Sequence, residues 1–389
     1  MLSVDEARAR IIMAFRPLPA ETVAIEHAHN RVLAEDARAG LDQPPAPVSA
    51  MDGYAVRAAD NGPRKVVGSS PAGHPFGGKL GAGDAVRIFT GGVVPDGADT
   101  IVIQEDARAD GQTVSFTETP QPGRHIRAAG LDFRKGDVLV TAGRRLTARD
   151  LSLLAAGDIA ALPVRRRPVI ALAATGDELS RPGSPRKPGG IVSSSVYGLS
   201  AMVESWGGVP KDLGILPDTA EAVATLPGLA KDADLLVTMG GASVGDHDLI
   251  RTIPGIALDF WKIAMRPGKP LIFGKAGSVP LLGLPGNPVS TLVTALLFLR
   301  PAIAALLGAD TSQTLQRARL AAPLKANDTR QDYLRARTEW RDGELWVAPQ
   351  PVQDSSMLNL FAHSDVLIVR APHAPAADIG AMMDIIPLQ

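Results

Sequence analysis

The chain contains no cysteine. Disulfides, thiolate metal sites and a cysteine nucleophile are therefore excluded, and the composition suits a reducing cytosol. Aromatic residues make up only 4% of its 389 positions, so its cores must be assembled from Ala, Val, Leu and Ile. Neither sign of charge is in excess. The 40 Lys and Arg residues face 41 Asp and Glu, which leaves no basic field for nucleic acid. Long apolar runs are missing too. The longest, residues 289–299, is too short for a bilayer and stops at Arg300-Pro301, so no membrane association is expected. With seven histidines, no Ser-His-Asp arrangement is readable. There is no Gly-x-x-x-x-Gly-Lys phosphate loop, and no Gly-x-Gly-x-x-Gly follows a strand.

What the chain does have is length, 39 glycines and 32 prolines. The length implies two to four domains, and the glycines and prolines imply many loops. The N-terminus carries Asp5, Glu6, Arg8 and Arg10 among apolar residues, which reads as an amphipathic helix over 3–15 rather than a secretion signal. Val4, Ala7, Ile11 and Phe15 share its apolar face, and Ser3 with Glu6 forms a capping pattern. Residues 41–130 read as a small, mostly β domain entered through a proline-rich connector, with Asp52-Gly53 as a turn dipeptide. A helix capped by Thr147 follows. Residues 1–40 and 131–165 would together form an elongated linking domain into which the β domain is inserted. Residues 166–313 alternate strands and helices as a doubly wound parallel α/β domain does. Residues 314–389 read as a C-terminal β domain of barrel-like character.

The α/β part is organised around residues 235–248. A short apolar strand runs into Gly240-Gly241, then Ser243, Gly245, Asp246, His247 and Asp248. Glycines at the carboxyl end of a buried strand let backbone N–H groups turn toward an anion. The carboxylates suit a hard cation held against that anion. A plain glycine-rich turn with a capping Asp reads equally well from this stretch alone. Four strands of the domain would end on one sheet edge. Their loops carry Asp177 and Glu178, Asp218, Gly240-Gly241, and Pro285-Gly286-Asn287. Asn287 and Pro288 mark a helix start, whose free N–H groups suit a phosphate-like oxyanion. Lys262, Arg266 and Lys269, on a hairpin expected over 263–273, would hold a second anionic group. Together these features fit a phosphorylated small molecule with Mg2+ held among the rim carboxylates Asp177, Glu178, Asp218, Asp246 and Asp248.

Six motifs, in this order, resemble the signatures of a known family: Ser49-Ala-Met-Asp-Gly-Tyr-Ala55, Thr90-Gly-Gly with Pro95-Asp-Gly-Ala-Asp99, Thr175-Gly-Asp-Glu-Leu179, Gly240-Gly-Ala-Ser-Val-Gly-Asp246, Met265-Arg-Pro-Gly-Lys-Pro270 and Gly283-Leu-Pro-Gly-Asn-Pro-Val289. That family is the MoeA-type molybdopterin molybdenumtransferases, which includes the E domain of gephyrin. Arg330-Gln-Asp-Tyr-Leu-Arg335 and Ser355-Ser-Met-Leu358 are similar to its last domain, so the resemblance spans the chain. It implies a cytoplasmic homodimer of four-domain subunits with a central α/β domain of the molybdopterin-binding type. It implies that adenylated molybdopterin and molybdate yield molybdenum cofactor and AMP, with Mg2+. Asp52 and Thr90 would come from one subunit, and Glu178, Asp218 and Asp248 from the other, with Asp132 nearby. Ser243, Lys262, Arg266 and Lys269 would meet anionic groups, as would the loops at Gly240, Gly241, Pro285, Gly286 and Asn287. Transient contact with the adenylating enzyme and with molybdoenzyme chaperones would follow. The resemblance leaves two alternatives, an adenylyltransferase acting one step earlier and a non-catalytic dimeric scaffold. One departure stands out, since Arg266 occupies a position where many relatives carry Lys.

Overall fold

In a computed structural model, residues 1–240 and 255–388 are described. They cluster into two units. One comprises residues 1–21, 30–34 and 164–389, the other residues 22–29 and 35–163.

The first unit is built on a six-stranded sheet in the order Val209–Leu216, Val169–Thr175, Leu235–Met239, Val279–Leu284, Pro270–Ala276, Ile256–Lys262. The first four are mutually parallel, and Pro270–Ala276 runs antiparallel to both its neighbours. Strand residues alternate between faces, and both faces are covered. Ile170, Leu172, Leu235, Val237 and Leu282 join a core with helices Ser195–Ser205 and Pro288–Thr294. Ala171, Ala173, Leu236 and Leu281 join another with Val223 and Leu226. That is why these strands read as continuous apolar runs.

The first helix, Val4–Met13, is closed by the expected Ser3–Glu6 capping box and buries Val4, Ala7 and Ile11 in the first of these cores. Helical structure continues from Pro288 through one π-helical turn, Ala295–Leu299, to Leu306. These 19 residues are long and apolar enough for a membrane span, but 83% of the most apolar stretch is buried inside the protein, which makes this a core helix.

The hairpin expected over 263–273 is displaced. Its strands are Ile256–Lys262 and Pro270–Ala276. Between them Met265–Arg266 leaves the α/β sheet and pairs in parallel with Gln331–Asp332. The C-terminal strands Gln331–Arg341, Glu344–Pro349, Gln316–Leu320, Met382–Pro387 and Val366–Arg370 close into a five-stranded barrel, because Val366–Arg370 also pairs with Gln331–Arg341. The architecture is thus a multidomain α/β plus β chain, with a doubly wound core and a barrel near its C-terminus.

The second unit holds a six-stranded sheet in the order Thr100–Ile103, Gly53–Val56, Asp84–Ile88, Arg64–Ser70, Thr113–Phe116, Ala107–Asp110. It also holds the helix Ala148–Ala156, whose cap Thr147 exchanges hydrogen bonds with Asp150. Gly53 is not a turn residue, as its dipeptide suggests. It lies inside the sheet between Ile88 and Ile103, and a Cβ there would sit 2.0 Å from the Val102 carbonyl oxygen. Only glycine admits so close a backbone approach.

Candidate functional site

The parallel strands deliver their carboxyl ends to one edge of the sheet, where an open cleft of about 900 Å³ lies. Each strand contributes to it: Asp218 after Val209–Leu216, Thr175 and Glu178 after Val169–Thr175, Gly240 after Leu235–Met239, and Pro285, Gly286 and Asn287 after Val279–Leu284. Gly240 takes φ +89°, and a Cβ would meet the Thr175 carbonyl oxygen at 2.6 Å. A Cβ on Gly286 would lie 3.5 Å from the Gly240 Cα. The cleft floor is therefore bare backbone from adjacent strands, which an anion approaches without steric cost. The Thr175 hydroxyl is buried there with no hydrogen-bond partner among the described residues.

Arg266 and Lys269 both line the cleft. The Arg266 guanidinium is committed to the C-terminal barrel. It pairs with Asp332 and with Asp328 at 3.3 Å. Hydrogen bonding to Asp332 raises its pKa. Lys269 is exposed and has no ion-pair partner among the described residues, so it is the freer cation. Lys262 does not line the cleft; its ammonium lies 3.5 Å from the Trp261 ring centroid. Asp177 is exposed outside the cleft, and its carbonyl accepts from Lys187.

The C-terminal barrel supplies residues that the local sequence pattern did not assign to the site. Arg330, Gln353, Asp354, Ser355 and Ser356 all line the cleft. Asn287 occupies the helix cap position but makes no capping bond; its Nδ2 donates to the Ser355 Oγ at 2.9 Å. The Val289 N–H donates to the Ser355 carbonyl at 3.1 Å. Pro288 has no N–H, so the barrel already occupies part of the expected helix-terminal anion site. Hydrogen bonds from the Ser356 hydroxyl, then its backbone N–H, lower the Asp354 pKa and keep it ionised. The hints in the sequence were the Arg330–Arg335 and Ser355–Leu358 motifs, whose neighbours are set by barrel closure.

In the second unit, Asp52 Oδ1 accepts from the Thr90 backbone N–H at 2.7 Å and from its hydroxyl at 2.9 Å. These bonds, the backbone one first, lower the Asp52 pKa, with a smaller contribution from Arg87. Asp132 is exposed, and its backbone N–H donates to the Gln43 carbonyl. Gly241, Ser243, Asp246 and Asp248 lie outside the described residues.

Among the described residues, no three His, Asp or Glu side chains converge as a metal cluster. Glu178 and Asp218 nonetheless share the cleft and are hard oxygen donors of the kind Mg2+ takes.

A doubly wound domain with a glycine floor, cations and carboxylates at its strand ends defines a protein that handles a small anionic ligand. Comparison with known proteins narrows this. Residues 2–157 match the MoeA N-terminal region (domain I and II), residues 171–305 a probable molybdopterin binding domain, and residues 317–388 the MoeA C-terminal region (domain IV). The molybdopterin molybdenumtransferase of Haemophilus influenzae is 39% identical over 318 residues, covering 79% of this chain and 78% of that protein. That of Bacillus subtilis is 33% identical over 385 residues, covering 95% and 90%. A crystal structure of the molybdopterin biosynthesis MoeA protein from Pyrococcus horikoshii OT3 superposes with a TM-score of 0.88 at 25% identity, covering all of both chains. The chain belongs to the molybdopterin molybdenumtransferase family.

Proposed function

We propose that the protein inserts molybdenum into adenylated molybdopterin, consuming molybdate and releasing AMP, as a cytoplasmic homodimer. The observation that carries this reading is the cleft itself, which is lined by bare backbone, by Lys269 with no ion-pair partner among the described residues, by Arg330 and the Ser355 hydroxyl, and by Glu178 and Asp218. Molybdate is a tetrahedral oxyanion, and nests, cations and hydroxyls bind such anions. Lys269 and Arg330 would neutralise charge on the oxyanion and on the substrate's phosphates. Ser355, whose hydroxyl accepts from Asn287 and so keeps its own proton, would donate a hydrogen bond to an oxyanion oxygen. Glu178 and Asp218 would hold Mg2+, with Asp246 and Asp248 assigned to the same task by the sequence. When bound, Mg2+ supplies charge neutralisation at the phosphoanhydride from which AMP departs. Asp52, kept ionised by Thr90, would be contributed by the second subunit to orient the reacting groups, with Asp132 nearby. Transient docking to the adenylating enzyme and to molybdoenzyme chaperones belongs to the same proposal.

The test is AMP release from adenylated molybdopterin by the purified protein with Mg2+, with and without molybdate. Molybdate-dependent release is expected, falling on the order of a hundredfold in Glu178→Gln. Lys269→Gln would raise KM for molybdate on the order of tenfold. Robust ATP consumption with molybdopterin alone would replace this reading with adenylyl transfer. Tight binding without release would leave a scaffold.

A further inference from the structure

The β unit carries an aromatic feature that the cleft does not use. Tyr54 and Arg87 are directly opposed on neighbouring strands. The Arg87 guanidinium carbon lies 5.0 Å from the Tyr54 ring centroid and 5.0 Å from that of Phe89. Its nitrogens are fixed as well, donating to the Gly53 carbonyl at 3.0 Å and to the Gln104 Oε1 at 2.6 Å. Phe116 extends the row on the far side of Tyr54, with ring centroids 6.2 Å apart. Three rings and one guanidinium thus form a ladder held by the sheet, and it ends at Phe89, which is 38% exposed. In a chain with so few aromatics, an exposed ring backed by a clamped cation is a rigid surface and not a disordered side chain. Phe89 also adjoins Thr90 in sequence, and Thr90 holds Asp52 through Oδ1 alone. The second Asp52 oxygen has no partner among the described residues.

We propose that Phe89, backed by Arg87 and Tyr54 and bordered by Asp52, is a stacking shelf for the flat heterocycle of the adenylated pterin. This rests on the proposed function and names a subsite for it. An exposed ring takes a π-face, and a free carboxylate oxygen takes an N–H from the heterocycle edge. Both adenine and pterin present that combination. The clamped guanidinium keeps the shelf preorganised, so little ordering cost falls on binding.

The experiment compares wild type with Phe89→Leu, which keeps apolar cover over Arg87 but loses the ring, and with Phe89→Trp, which restores a ring. KM for adenylated molybdopterin is expected to rise on the order of tenfold in the Leu variant, with kcat held within about twofold, and to return in the Trp variant. Direct binding of AMP and of pterin-6-carboxylate then identifies the ring concerned, because only the one that stacks weakens in Phe89→Leu. An unchanged KM in Phe89→Leu, with wild type turning over, overturns the shelf. If wild type releases no AMP, the proposed function fails and binding still decides the shelf. Phe89-dependent binding of either heterocycle upholds it, and binding indifferent to Phe89, or none at all, overturns it.

Discussion

Arg266, on the cleft loop, is ion-paired to Asp332, a barrel carboxylate that is only 3% exposed. The pairing reassigns Arg266 from anion holder to anchor. The short strand Met265–Arg266 runs beside Gln331–Asp332, and the guanidinium closes the same contact from the side-chain end. Two carboxylates and the Asn327 side-chain Oδ1 share this one cation. Arg offers the planar fork such sharing needs, which a Lys ammonium at this position would lack.

Removing that cation leaves a buried carboxylate unpaired. Arg266→Met should therefore lose on the order of 2 kcal/mol in urea unfolding, the usual cost of a fully buried pair being discounted because Arg266 is half exposed. The double variant Arg266→Met/Asp332→Asn should recover most of the loss, since neither charge then remains. Strictly additive losses would show that the pair does not anchor the loop.

Gly53 makes a sharper test of the β unit. A methyl group there collides with the Val102 carbonyl oxygen at 2.0 Å and approaches the Val102 carbon at 2.8 Å, so the Thr100–Ile103 strand must move. Gly53→Ala should destabilise that sheet by roughly 3 kcal/mol. Hydrogen exchange should show lost protection in Thr100–Ile103 while Leu235–Met239 stays protected. Unchanged protection in both would mean the sheet absorbs the methyl.

Much of this was legible because it is local. Ser3 with Glu6 and Thr147 announce their helices through capping chemistry that spans three residues, and Val169–Thr175 and Leu235–Met239 announce burial on both faces by unbroken apolar runs. The four strand-end loops of the site followed from that parallel pattern. What could not be read is what depends on distant register. Asp52-Gly53 looks like a turn until its two strand partners are known, 35 and 50 residues onward. Met265–Arg266 looks like half a hairpin until the barrel claims it. Asn287 and Ser355 meet across 68 residues, so the loss of the Asn287 cap to Ser355 leaves no trace in the local sequence.

The Asp52–Thr90 pair gives a pH prediction. Hydrogen bonds from the Thr90 N–H, then its hydroxyl, lower the Asp52 pKa in the fold. Ionised Asp52 thus contributes stability that is present above the unfolded value of about 3.9 and is lost as pH falls through the lower folded value. An NMR titration with labelled aspartate should place the Asp52 midpoint below that of free aspartate. Thr90→Val should move it part of the way back, since the backbone donor, the larger cause, remains. A midpoint unmoved by the substitution would show that the hydroxyl contributes nothing.

Arg335 separates positioning from stability. It is only 1% exposed, and among the described residues its guanidinium bonds to an amide oxygen and a backbone carbonyl with no ion pair to a carboxylate. Its Nε donates to the Gln353 Oε1 at 3.0 Å and its Nη1 to the Asp354 carbonyl at 3.0 Å, while the Gln353 amide returns a bond to the Arg335 carbonyl. The guanidinium thus holds the start of the loop on which Ser355 reaches Asn287. Burial lowers its pKa, so the fold works against this charge while the loop uses it. Arg335→Met fills similar space and removes the desolvated charge, at the expense of two hydrogen bonds. These effects oppose each other, and the variant should melt within about 1 kcal/mol of wild type. The 353–356 loop would lose its anchor, so KM for molybdate should rise on the order of tenfold with kcat less affected. Thermal melts and AMP-release kinetics on one preparation decide it. Parallel loss of stability and activity would make Arg335 a plain core residue, and unchanged kinetics would free the loop from its control.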